Sequence, residues 1–341
     1  MSKQLSDAPL SADEQITSPT TGDLPPMKKK QPSVFWPWFG GLLVVGLVIV
    51  VIVTAVTSNW LNNIQHGIGA GQPSTAATAM NVQRNAIYAD LNVTLINVQY
   101  ATTFNDDPIH SGPATVRATV RVNNPTASTI DIAYYDAVRL LVPGHQPIVP
   151  ENLSLSAAPQ AGKTSTGWID FPVAKGTALK TLQLQFGNAA VNEMLVTIPV
   201  SGAYDASHYN NHTYNQSLAI AYNYGPYGGK HLLNYHLNSV EVRNSYNGAE
   251  TTTGEQFYVL NFTVDNPNSV WVGPGYGYDY INLVLGSDTP PIDNTLPNGF
   301  QHNAHGISGH VTFKAPVGMH ALTIAFRAQL YQGQDTYSIS W

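Results

Sequence analysis

Three histidines lie close together in HNAHGISGH, namely His302, His305 and His310. Neutral imidazole is the commonest side-chain metal ligand, so the spacing raises a zinc site. A tetrahedral set needs a further donor, and neither a Cys nor a nearby carboxylate supplies one. The corresponding stretch earlier in the chain, QAGKTSTGW, has no histidine, so no metal is assigned. Asp106 and Asp107 in FNDDP could offer oxygen to calcium. Their counterpart is NSYNG, and calcium is not assigned either. His208 and His212, set among Tyr204, Tyr209 and Tyr214, read as solvated linker. The sequences HExxH, GxSxG and GxxxxGK[ST] are all absent, and the glycine runs GIGAG (67–71) and GPGYG (273–277) lack the strand-to-helix setting that cradles phosphate. Neither a catalytic residue nor a cofactor is indicated. The stretch VWVGPGYGYDYI is the best binding candidate, because Trp271, Tyr276, Tyr278 and Tyr280 offer rigid, amphipathic area for a glycan or a peptide. The competing reading places those alternating rings on the core face of a strand.

Composition narrows the class of protein that could carry such a platform. The 341 residues allow about two domains, each able to bury a core without staples. Charged residues are 11% of the chain and the net charge is −6, with no basic stripe, which excludes a nucleic-acid footprint. Eighteen Tyr, ten Phe and six Trp, with 28 Gly and 23 Pro, favour strands joined by turns. Cysteine is absent, so disulfides and thiolates contribute nothing.

From Gln31 to Gln83 the chain has no Asp, Glu, Lys or Arg, and residues 35–56 form an apolar run with the core LLVVGLVIVVIVTAV. At about 1.5 Å per residue, such a helix crosses a hydrocarbon layer of roughly 30 Å. Trp36 and Trp38 flank one end and Trp60 the other, as interfacial rings do, and Lys28, Lys29 and Lys30 place residues 1–34 in the cytoplasm by the positive-inside rule. The sequence therefore predicts a disordered cytoplasmic tail over 1–34, a single bilayer-spanning helix over 35–56 and extracytoplasmic domains beyond. Cleavage as a signal peptide after Val53 and Ala55 is the alternative. Residues 57–84, rich in Gly, Ser, Thr and Ala, read as a flexible stalk.

Beyond the stalk, the runs YADLNVTLINVQY, PATVRATVRVNNP, YYDAVRLLVP, GWIDFPV, LKTLQLQF and EMLVTIPV mostly alternate with period two and are separated by turn residues. Residues 201–230 break this rhythm and read as a linker, with one short strand at SLAIAY. TVRVNNPTAS then returns as NFTVDNPNSV, with Asn124-Pro125 and Asn266-Pro267 set 142 positions apart. The same offset relates Leu95 to Leu237, Val98 to Val240, Gly167 to Gly309 and Phe171 to Phe313, and it slips by one where YDAVRLLV becomes YDYINLVL. A tandem duplication accounts for this regularity, giving domains at 85–200 and 231–341. Proline has no amide hydrogen and holds the preceding residue extended, so each Asn-Pro ends a strand and starts a turn. Five N-x-[ST] sequons, at Asn92, Asn152, Asn211, Asn215 and Asn261, matter only in a glycosylating pathway.

A T-V-x-V-x-N strand ending at Asn-Pro, a Tyr-Asp strand, then G-x-[IV]-x-F and L-x-[LI]-x-F resembles the bacterial telokin-like domains of unknown function. Val122, Asn124, Pro125, Gly167 and Phe171 carry the resemblance in one copy, and Val264, Asn266, Pro267, Gly309 and Phe313 in the other. Asn266 to Ser269 is similar to the water-stress and late-embryogenesis sandwich domains in one copy only. The resemblance implies an all-β fold of two tandem immunoglobulin-like β-sandwich domains behind one transmembrane helix, with a binding or adapter role and no catalytic residues. Three functions stay open: noncatalytic binding or structural display at the cell surface, toward a glycan or a protein; an accessory subunit or sensor input of a membrane complex; and a hydrolase resting on the three histidines. The absence of native cysteine makes the topology testable. A cysteine introduced by Ser340→Cys is expected to react with an impermeant maleimide on intact cells, and one from Ser11→Cys only after the cells are opened; the reverse labelling would invert the orientation.

Overall fold

The computed structural model describes residues 77–107, 111–224, 231–327 and 334–341. The tail over 1–34 and the apolar segment over 35–56 lie outside the described residues. Among the described residues, no helix is long and apolar enough to cross a membrane.

The described chain is all-β. In the first half, β1 (Thr78–Tyr88), β2 (Leu91–Ala101), β3 (Ala114–Asn123), β4 (Val138–Leu141), β5 (Asn152–Leu153), β6 (Thr164–Val173), β7 (Gln183–Phe186) and β8 (Val196–Pro199) build two sheets. Their orders are β1-β2-β3-β6-β5 and β4-β7-β8, and every pairing is antiparallel. The second half contributes β9 (His212–Tyr224), β10 (His231–Arg243), β11 (Ser245–Tyr246), β12 (Ala249–Glu250), β13 (Glu255–Asp265), β14 (Ile281–Leu285), β15 (Ser287–Thr289), β16 (Asp293–Asn294), β17 (Ile307–Pro316), β18 (Ala321–Arg327) and β19 (Gln334–Ser340). Its sheets run β9-β10-β13-β17-β16 and β15-β14-β18-β19. Strand for strand this repeats the first half, with β15 and the small β11–β12 hairpin added.

Each half closes over its own core, shared by its two sheets. On β3 the inward positions Val116, Ala118, Val120 and Val122 are buried, and on β13 Tyr258, Leu260, Phe262 and Val264 are buried in the same places. Period-two alternation is what brings these side chains to one face. A single helical turn, Tyr134–Ala137 or Gly277–Tyr280, leads straight into β4 or β14. Gly167 and Gly309 sit where the chain after the short edge strand crosses β6 or β17. A Cβ at Gly167 would lie 2.9 Å from Ser154 Oγ, and one at Gly309 2.8 Å from Leu296 Cδ2, so the crossing requires glycine at both places.

The Asn-Pro punctuation closes the same loops in both halves. Asn124 is fully buried; its Nδ2 donates to the carbonyls of Ser128 and Pro159 at 2.8 Å each, and its Oδ1 accepts from the Thr126 amide at 2.9 Å. Asn266 donates to Val270 O at 3.0 Å and Gln301 O at 2.9 Å, and accepts from the Asn268 amide at 3.0 Å. All of these partners correspond at the 142-residue offset, so both halves carry the same clamp.

Two boundaries differ from the compositional reading. Residues 78–84, assigned to the stalk, belong to β1, where half-buried Met80, Val82 and Arg84 alternate with exposed neighbours. Within 201–230, assigned to a linker, residues 212–224 form β9 and pair with β10 along its length. As an edge strand β9 buries only part of one face, Ile220 and Tyr222 most fully, and its Asn and Tyr content hides that pattern. The clamp predicts that Asn124→Ala or Asn266→Ala costs about 2–4 kcal/mol, because buried carbonyls lose their donor. Urea unfolding of each variant measures the loss, and a change below about 1 kcal/mol would remove the clamp from the account.

Candidate functional site

The aromatic stretch separates into an outer and an inner set. Trp271 is 58% exposed, Tyr276 59% and Tyr278 40%, whereas Tyr280 is fully buried. The sequence grouped Tyr280 with the platform, and the structure moves it into the core. The cause is the helical turn at Gly277–Tyr280, which replaces strand alternation and directs Tyr278 outward and Tyr280 inward. The Tyr280 hydroxyl lies 2.9 Å from that of Tyr235, and its ring stacks on Tyr222 at 5.3 Å. The Trp271 ring packs against Gly273 and Gly299, where a Cβ would fall 2.0 and 2.2 Å from ring atoms. Tyr278 is held at its tip, its hydroxyl accepting from the Asn294 amide at 3.1 Å and donating to Asp293 Oδ1 at 3.4 Å.

A second site, unforeseen from sequence, lies where the two halves meet. A groove of about 710 Å³ is lined by Asp90, Ser128, Arg243, Tyr246, Asn247 and His310 among others, within the size range of small-ligand sites. Asp90 sits in the tight β1–β2 turn. Its Oδ1 accepts from Arg243 Nη2 at 2.9 Å and its Oδ2 from the Gly248 amide at 3.0 Å. Main-chain pairing joins the halves further along, with Met194 N to Thr251 O at 2.7 Å and Thr253 N to Asn192 O at 2.9 Å. At the groove wall, His310 Nε2 is 2.7 Å from the Tyr246 hydroxyl, which donates to Asp293. Burial pushes the Tyr246 phenol up to about 12, so it stays protonated and acts as a hydrogen-bond donor rather than a nucleophile.

The groove occupies the place of a filled site in the first half. There the Arg117 side chain is fully buried between the rings of Phe104 and Trp168, its guanidinium carbon 4.1 and 4.0 Å from their centroids. It pairs with Asp170 through two bonds, at 2.8 and 2.7 Å, and with Asp106 at 2.7 Å. Burial pushes the Asp170 carboxyl up to about 6 while Arg117 pulls it down. At the 142-residue offset, Phe104, Arg117, Trp168 and Asp170 become Tyr246, Val259, His310 and Thr312. Loss of the arginine and shrinkage of Trp to His leave a polar wall facing the groove. Asp106, weighed for calcium, is thus an ion-pair partner, and Asp107 accepts from Asn152 Nδ2 at 3.5 Å.

The histidines do not converge. His310 faces Tyr246, His302 is exposed, and His305 lies 3.6 Å from Asp265. His208 is exposed near Asp205, and His212 is on β9 with its ring nitrogen 3.2 Å from Ser207 O. Among the described residues, no group of three or more His, Asp or Glu is arranged to hold a metal. Arg117, Asp90 and Arg243 escaped the sequence reading because their roles need partners distant in the chain: Asp170 lies 53 positions from Arg117, and Asp90 153 from Arg243. Aligning the copies, which sets Trp168 beside His310, was the signal at hand.

A buried acid beside the groove makes the junction pH-sensitive. Glu250 accepts from the Ala89 amide through one oxygen, and its other oxygen is buried with no hydrogen-bond partner. Burial, with Asp90 and Glu193 nearby, pushes its carboxyl up to about 8. Burial, with Glu193 and Glu250 nearby, pushes the Tyr88 phenol far up, and its hydroxyl lies 3.3 Å from Glu193.

Comparisons with known proteins add little. No protein-family model and no curated protein matches the chain. A functionally unknown protein from Listeria monocytogenes EGD-e is similar over 37% of this chain and 88% of its own, at 13% identity and a TM-score of 0.28. A conserved domain protein from Bacillus anthracis is similar over 77% and 91%, at 10% identity and a TM-score of 0.21. At such scores the likeness carries no argument.

Because folded Glu250 holds its proton more tightly than the unfolded chain does, its contribution to stability is full below about pH 4.5 and falls as pH rises toward 8. Glu250→Gln is expected to abolish that fall and to exceed the parent by about 2–4 kcal/mol at pH 8.5. Thermal unfolding across pH 5 to 9 reads it out, and parallel curves for the two proteins would contradict it.

Proposed function

We propose that the chain is a noncatalytic binding protein, anchored in a membrane by residues 35–56 and displaying two tandem immunoglobulin-like sandwiches outside the cell. The repeated strand order of the two halves supports the tandem reading, and the uncharged apolar run behind Lys28, Lys29 and Lys30 supports the anchor and its orientation. The single observation that carries the binding role is the exposed set Trp271, Tyr276 and Tyr278 on the second half. At the position of Trp271 the first half has Thr129. Large rings left in water on one loop mark a ligand site more often than a structural one.

The assay is sedimentation of the full chain, held in nanodiscs, with insoluble cell-wall material. Retention on the pellet is the expected result, reduced at least about fivefold when Trp271, Tyr276 and Tyr278 are all changed to Ala. Equal recovery in the supernatant with and without wall material, together with one fixed partner at constant ratio in mild detergent, would shift the role to a subunit of a membrane complex.

A further inference from the structure

We propose that the Trp271 face is a saccharide platform whose ligand is a neutral sugar chain, stacked by the C–H face of a pyranose on the indole. The proposal rests on the binding role above and names its ligand class. The first support is rigidity. The ring lies against Gly273 and Gly299, positions where any side chain would overlap it, so the loop fixes the indole while leaving it 58% exposed. Tyr278 is fixed in turn by the bonds of its hydroxyl to Asn294 and Asp293. Rings already held in place lose little entropy on binding, and their electron-rich faces attract polarised C–H groups.

Charge supplies the second support. Residues 266–300, which carry all three rings, include Asp279, Asp288 and Asp293 and neither Lys nor Arg. An anionic polymer or phosphate would find no cationic partner in this stretch. A neutral, hydroxyl-rich ligand meets no such penalty, and carboxylate and amide groups beside the rings can accept and donate to its hydroxyls.

The internal repeat provides the third. In the first half, Ile130 of the loop 126–131 packs against Gly248 of the second half, while Thr129 stays exposed. Its counterpart, 268–273, carries Trp271 in place of Thr129. Both positions are exposed, so putting a large ring where the first half keeps a small hydroxyl runs against solvent preference. Size argues against a protein as occupant. The exposed large apolar residues of 266–300 are Val270, Trp271, Tyr276, Tyr278 and Ile292, whereas a stable protein interface takes roughly 20–30 residues a side.

The test is isothermal titration of the full chain in nanodiscs, which avoids sugar-headed detergents, against cellohexaose, chitohexaose and laminarihexaose, with a proline-rich decapeptide as the comparison. At least one hexasaccharide is expected to bind with a Kd of about 10 μM to 1 mM. Trp271→Ala should weaken it at least about tenfold and Tyr276→Ala about threefold, with Trp271→Phe between, and a rise in salt from about 0.05 to 0.5 M should change Kd less than about twofold. No binding of any of the three, an unchanged Kd in the Trp271→Ala protein with its unfolding temperature intact, or binding of the peptide alone would overturn it. Wall material retained equally by the parent and Trp271→Ala proteins would leave the binding role standing and remove only the saccharide platform.

Discussion

Everything in both halves hangs on one buried side chain, the amide of Asn124 or Asn266. At the end of a strand the ladder stops, and the carbonyls of the next loops must find donors without it. Proline cannot supply one, so the preceding asparagine does, closing the loop after its own strand and the loop before β6 or β17. With those loops held, the short edge strands reach their places against Gly167 and Gly309, and the helical turns enter the second sheet. A change of side chain here removes donors from several carbonyls at once, whereas a change on the outer face of a strand removes none.

With that frame held in common, the copies diverged where their outer faces meet other things. The first half filled one end of its sheet with Arg117, pinned by two carboxylates and two rings. The buried charge is tolerated because both its ion pairs and both its ring faces are satisfied. In the second half Val259 stands there, and Tyr246 and His310 bond to each other and to Asp293 at the groove wall. The loop that carries Ile130 against Gly248 in one half holds exposed Trp271 in the other. The halves thus differ by a junction on one side and an aromatic face on the other.

The sequence made the inward positions of β3 and β13 legible, because alternation along a long strand survives any choice of letters. It also separated the punctuation from chemistry at Asn124 and Asn266, since an asparagine before proline has backbone to satisfy before it has ligands to bind. β9 and the start of β1 do alternate, but polar residues such as Gln216 and Arg84 at half-buried places mask the period. Trp271, Tyr276, Tyr278 and Tyr280 group together by closeness in sequence, and the helical turn at Gly277–Tyr280 divides them between water and core. The histidines at 302, 305 and 310 looked like a cluster because sequence distance is short there, yet β17 and the loop before it turn them to different surroundings.

Taken alone, the sequence determined what depends on local order: the β class, the motif that returns 142 positions on, the strand ends at Asn-Pro and the apolar run ahead of them. Those follow from periodicity and from the limits proline and glycine place on the backbone. Only the tertiary structure decided which charged and aromatic groups are buried, paired or left in water, as with Arg117, Glu250 and Trp271. That outcome depends on residues distant in the chain, and no local pattern encodes the cover that another strand, or another half, provides.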